Sequence, residues 1–279
     1  MKAGSAGSIP DGVTKVPQPS QPLRYFLLDV GDAVANLNST VVGLDAVENG
    51  YDRPDGLNIS WNPIDRNAAA RKARRFVLEA VLVRVSEALS QYIGAISKLP
   101  RFENLRETWA KDAKNNIKVS DAKKLFDLAK EIIQGDCFLA VGGCLLVHWR
   151  NRAVHRDSHA KLTGPQAKIL MRHSALIDKE FASLSVDRLI RDFEEGKPTL
   201  KDITSLVAMT IRLSRKLDAK INDTSKADLL VLLEHYGLDK KIEKLKLETS
   251  PQRQTASIIR FLETTAPGLA EPFIKFNGK

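Results

Sequence analysis

Residues 65–99 read DRNAAARKARRFVLEAVLVRVSEALSQYIGAISKL. Within them Leu78, Val81, Leu82, Val85, Leu89, Tyr92, Ile93 and Ile96 recur every three or four positions, the period of an α-helix that buries one wide face. No proline interrupts the pattern before Pro100, so one long helix is expected to run from Asp65 to about Leu99 as the spine of an all-α body. Its start, Arg71-Lys72-Ala73-Arg74-Arg75, reads first as a solvated helix face, with phosphate contact as the alternative.

Outward from this spine the same period continues. Leu23, Phe26, Leu27, Val30, Val34, Leu37, Val41 and Leu44 predict a helix to about Val47, closed by Asn49-Gly50. The connection that follows carries Pro54-Asp55-Gly56 and Asn62-Pro63; its Leu57, Ile59 and Trp61 fit either a short strand or core plugs. Ser120 caps a helix over DAKKLFDLAKEIIQ, and after Gly135 comes the apolar run CFLAVGGCLLVHW. Helical segments are expected near 166–196, then a helix from Thr199 to about Asn222 with Thr199 and Asp202 as a capping box. The tail offers two more helices, KADLLVLLEHYG and PQRQTASIIRFLETT, on either side of a Lys-rich stretch. No segment reads convincingly as a β-sheet. The organisation expected is therefore a flexible arm at 1–22, a helical bundle at 23–222 and a C-terminal helical extension at 223–279. Pro10, Pro17, Pro19 and Pro22 and a scarcity of large apolar side chains mark the arm.

Composition narrows the functional classes. With 279 residues, 43% hydrophobic and 28% charged, the chain can bury a real core. Cys137 and Cys144 are too few for a disulfide framework and read as small core residues of a reducing compartment. The first residues lack the apolar stretch of a secretory signal, and no run is long enough to span a membrane, so a cytoplasmic protein without membrane partners is expected. Lys and Arg number 43 against 34 Asp and Glu, a net +9 that favours an anionic partner.

That charge is concentrated. Residues 145–175, LLVHWRNRAVHRDSHAKLTGPQAKILMRHSA, hold Arg150, Arg152, Arg156, Arg172, Lys161 and Lys168 against Asp157 alone, six minus one, so +5 of the +9 falls in this window. It also holds His148, His155, His159 and His173, four of the five histidines. His155 and His159, four apart, could share a helix face as zinc ligands do, but HRDSH lacks the glutamate a zincin helix needs and its flanking cations oppose a dication. His155-Arg156-Asp157 spells the opening of a kinase catalytic loop, yet Leu162 stands where that loop needs asparagine and no glycine-rich phosphate loop is present. Metal-independent phosphodiester cleavage fits better. An imidazole can take the proton of a ribose 2′-hydroxyl while a guanidinium steadies the charge on phosphorus, chemistry that spares DNA. No metal or other cofactor is expected.

Arg150-Asn151-Arg152-Ala153-Val154-His155 resembles the motif of the HEPN superfamily: arginine, a polar residue, a short spacer and histidine. The specific match rests on these six residues, within a resemblance extending over 23–222. It implies a helical bundle, a homodimer that brings two motifs face to face, and ribonuclease activity in a toxin–antitoxin or antiphage setting, with RNA as substrate and an antitoxin or regulator as a further partner. On that reading His155 is general base or acid, Arg150 stabilises the phosphorane and Asn151 orients the phosphate or the histidine. Arg152, His159 and Lys161 assist in binding RNA. Arg152 with His159 is a second register, in which Ala153 replaces the polar residue. On a regular helix Arg150 and His155 point about 140° apart, so one copy is not expected to assemble the site alone. His148, beside Trp149, reads as a packed histidine. The alternative from another class is a non-catalytic helical module that binds nucleic acid or a partner protein through the same window.

Overall fold

The computed structural model describes residues 19–133, 137–155, 157–221 and 224–277, without the side chain of Gln252. Among these residues it is all-α, with thirteen α-helices, a single 3₁₀ turn at Pro100–Phe102 and no strand. The predicted spine is helix α2 (Arg66–Ile96), started by the Asp65 carboxylate accepting from the amide of Ala68. It pairs along its length with α1 (Gln21–Glu48), which precedes it.

The bundle is built around α5 (Phe138–Val154), the apolar run of the sequence. Every residue from Leu139 to Val147 is buried, and so is Trp149. A helix apolar all round has to be surrounded, and α2, α4 (Asp121–Ile133) and α9 (Leu200–Ile221) surround it. Gly142 and Gly143 permit this approach. A Cβ on Gly142 would lie 2.6 Å from the Met209 sulfur of α9, and one on Gly143 would lie 2.7 Å from Leu125 of α4. Fully burying each Leu or Val of this layer is worth about 1.5–3 kcal/mol, so the core fixes where α5 ends and hence where its last polar turn stands.

The remaining helices close the bundle. Helix α3 (Glu103–Lys114) follows the 3₁₀ turn, and the Trp109 ring nitrogen donates to Asp127 of α4 at 2.8 Å. Helices α6 (Gly164–Arg172), α7 (Ser174–Glu180) and α8 (Val186–Glu194) fill the stretch expected to be helical near 166–196. The capping box that starts α9 is present: Thr199 N–H donates to Asp202 at 2.9 Å and Asp202 N–H to the Thr199 hydroxyl at 3.2 Å.

Three details depart from the sequence expectations. The tail holds four helices, α10 (Lys226–His235), α11 (Asp239–Glu248), α12 (Pro251–Thr265) and α13 (Pro267–Asn277), because the Lys-rich stretch itself forms α11 and buries Ile242. Leu57 and Ile59 make neither strand nor core plug; both are exposed in the connection between α1 and α2, while Trp61 lies under the Arg66 guanidinium. The proposed arm lies outside the described residues through Val16-Pro17-Gln18, but Ser20 caps α1, and Gln21 and Pro22 are buried. Ser20 bonds with both its N–H and its hydroxyl to Asp218 of α9. The tail shares the main core through Leu229, Leu232, Leu262, Leu269 and Phe273, and Gly268 N–H donates to the Gln21 side chain at 2.8 Å. Cys144 is buried and its thiol donates to the Ala122 carbonyl at 3.2 Å; burial pushes that thiol far up, as a core cysteine requires. Among the described residues no helix is long and apolar enough to cross a membrane.

Candidate functional site

The last turn of α5 emerges from the core carrying Arg150, Asn151 and Arg152, and the helix stops at Val154. His155 is the first residue beyond it, with φ −114° and ψ 108°, extended rather than helical. The 140° separation of a regular helix therefore does not apply between Arg150 and His155. The chain turns back at once: His155 N–H donates to the Asn151 carbonyl at 2.9 Å and Ser158 N–H to the His155 carbonyl at 2.9 Å. Thr163 then opens α6 with a capping box to Gln166.

This turn forms one wall of a cavity of about 780 Å³ lined by His148, Arg150, Asn151, His155 and His159. Ser86 of α2 and Lys118–Asp121, which lead into α4, also line it. Asp121 and Asp157 are the acidic residues of the lining. Arg150, Asn151, His155 and His159 thus meet in one chain, without a second copy. Arg152 and Lys161 are not part of the lining.

The two arginines of the motif differ. Arg152 Nε donates to the Ala160 carbonyl at 2.8 Å, Nη1 donates to the Phe193 carbonyl at 2.7 Å, and the guanidinium lies 4.0 Å over the Phe193 ring. It staples the loop after His155 to the C-terminal end of α8, where a cation also suits the helix dipole. Arg150 makes one bond, from Nη1 to its neighbour Asn151 Oδ1 at 3.1 Å. Its Nε is buried without a partner, and it has no ion pair among the described residues. A buried guanidinium N–H left unbonded costs about 1–3 kcal/mol, a condition that Arg74 Nε and Trp149 Nε1 share with Arg150 Nε.

His148, expected to be packed, is half-buried and lines the cavity. Burial, and then the nearby Arg152 charge, hold it below its ordinary value of 6.5, so the neutral imidazole is the favoured form. A neutral ring is the form that accepts a proton. The signal was available in the sequence, since His148, Arg152, His155 and His159 are spaced three or four apart. The contribution of Ser86, Ser120 and Asp121 was not, because only the packing of α2 and α4 on α5 brings them there. Among the described residues no three His, Cys, Asp or Glu side chains group as a metal site. No family model, no curated protein and no solved structure matches the chain.

Proposed function

We propose that this protein is a metal-independent endoribonuclease of HEPN type whose active site is the cavity at the end of α5. One observation carries the reading: Arg150, which has no ion pair among the described residues, lines one cavity with His155, His148 and His159. A phosphodiester is the anion that makes use of both groups. In the reaction the ribose 2′-oxygen attacks phosphorus, its proton passes to an imidazole, the O2′–P bond forms and the P–O5′ bond breaks, and a second proton goes to O5′. The products are a 2′,3′-cyclic phosphate and a 5′-hydroxyl. His155, exposed at the cavity mouth and free of the helix, moves one of these protons. Arg150 neutralises the charge that builds on the phosphorane, and Asn151, whose Oδ1 accepts from Arg150, orients that guanidinium. His159 and Lys161 contact the strand beyond the scissile bond. Arg152, occupied by two carbonyls, serves by positioning the loop that carries His155.

In its setting this enzyme is a cytoplasmic toxin or antiphage effector that acts as a homodimer and is restrained by an antitoxin covering the cavity. The test is RNA incubated with purified protein in EDTA. Cleavage that survives chelation and falls at least about 100-fold in His155→Ala supports the reading. An equally active His155→Ala variant overturns it. RNA bound but never cut, with binding untouched by His155→Ala, would instead assign a non-catalytic binding module.

A further inference from the structure

A second basic cleft lies where the first turns of α2 meet the start of α9. Arg71, Arg74, Arg75 and Lys197, together with Thr199 and Leu200, line a cavity of about 410 Å³, and no acidic residue is in that lining. Three of the four cations have a carboxylate neighbour outside it: Arg74 to Glu48 at 3.2 Å, Arg75 to Glu79 at 3.0 Å and Lys197 to Glu195 at 3.0 Å. Arg71 is exposed and has no ion pair among the described residues. Partly exposed pairs of this kind are worth about 0–1 kcal/mol, so an arriving anion competes with them easily. The start of α9 adds donors. Its capping box uses the amides of Thr199 and Asp202, which leaves those of Leu200 and Lys201 as the uncommitted N–H groups of a 22-residue helix.

The cleft is coupled in space to the Arg150 cavity by two elements. Helix α2 gives Arg75 to one and Ser86 to the other, eleven residues or roughly 16 Å apart along its axis. The C-terminal end of α8 lies between them: Arg152 donates to the Phe193 carbonyl, and Arg75 donates to the Gly196 carbonyl at 3.2 Å.

We infer that this cleft holds a backbone phosphate of the same RNA strand that the Arg150 cavity cuts, a second contact that sets how the strand lies across the bundle. The inference rests on the ribonuclease reading for its choice of strand, but it is tested by binding alone. The probe is a fluorescent 2′-O-methyl RNA 10-mer, which cannot be cleaved, titrated with wild type and with the Arg71→Ala/Lys197→Ala double variant from low to high KCl. Loss of two phosphate contacts should lower the slope of log affinity against log salt by about 1.4, and weaken binding at low salt by roughly tenfold or more. Both side chains are at the surface, and an unchanged melting curve checks that the double variant is folded. Equal slope and affinity in the two proteins overturn the inference, as does a wild type that does not bind the probe. If the slope falls while wild type never cleaves RNA, the cleft stands and the ribonuclease reading fails. If RNA is cleaved and the slope is unchanged, the reverse holds.

Discussion

The buried carboxylates of this protein and the arginine at the end of α5 are treated in opposite ways. Asp228 has a side chain only 3% exposed, and its Oδ2 accepts three bonds: from Ser225 N–H at 2.9 Å, from the Ser225 hydroxyl at 2.8 Å and from Arg101 at 2.7 Å. Burial alone would raise it, but these partners outweigh burial and hold it below the usual carboxylate range. Asp202 and Asp218 are raised by burial, against the opposing hydrogen bonds of Thr199 and Ser20. All three cap or tie helices. Arg150, by contrast, has a single bond to its sequence neighbour and an unsatisfied buried Nε. The three carboxylates are hydrogen-bonded at helix ends, whereas Arg150, beside histidines in a cavity, has one bond among the described residues.

Substitutions at these positions separate the two regions. Arg150→Ala should lower the rate of RNA cleavage by about 10²–10³-fold, the loss expected for a donor aimed at developing charge, while the melting temperature stays within a degree or two. A large fall in stability with little loss of rate would move Arg150 to the structural side. Asp228→Ala should do the opposite. Losing the α10 cap and the bond from Arg101 should cost about 2–3 kcal/mol in denaturant unfolding, with the cleavage rate per folded molecule unchanged.

Arg152 sharpens the contrast, because it stands two residues from Arg150 and is spent on the fold. Arg152→Ala should cost about 1–2 kcal/mol of stability by removing two carbonyl bonds and the contact with Phe193. Arg152→Lys should restore only part of it, since an ammonium cannot span both carbonyls. The smallest effect is on pH dependence. His148 and His235 are both held below 6.5 by burial, with Arg152 and Lys98 respectively adding to it. Below pH 6.5 the unfolded chain therefore takes up protons before the folded one, and stability falls as the pH drops. His148→Gln should flatten that fall in thermal melts between pH 7.5 and 5.5; an unchanged slope would show that its burial does not couple to folding.

The helices were largely legible because each long one buries a face of period 3.6: α1, α2, α4 and α9 match their expected spans within a few residues. The tail was harder. Helix α11 is a Lys-rich segment with one buried residue, Ile242, and α13 carries Pro272 inside it, so neither shows a clean pattern. At the site, the motif singled out Arg150, Asn151 and His155, and the second register His159, four residues that line one cavity. It favoured Arg150 over Arg152 through Ala153, but it could not show that Arg152 is held by the carbonyl of Phe193, forty-one residues away in the chain. Nor could it foresee that α5 ends at Val154, which brings His155 to the Arg150 cavity within a single protomer.

The central claim is that Arg150 and His155 break RNA through its own 2′-hydroxyl. It is tested most directly by the products of a short RNA, and of the same strand with 2′-deoxyribose at the cut position, incubated with the protein in EDTA. The account predicts a 2′,3′-cyclic phosphate and a 5′-hydroxyl from the first strand and no cut at the deoxy position of the second. Cleavage of the deoxy strand at an equal rate, or products with a 5′-phosphate, would contradict it.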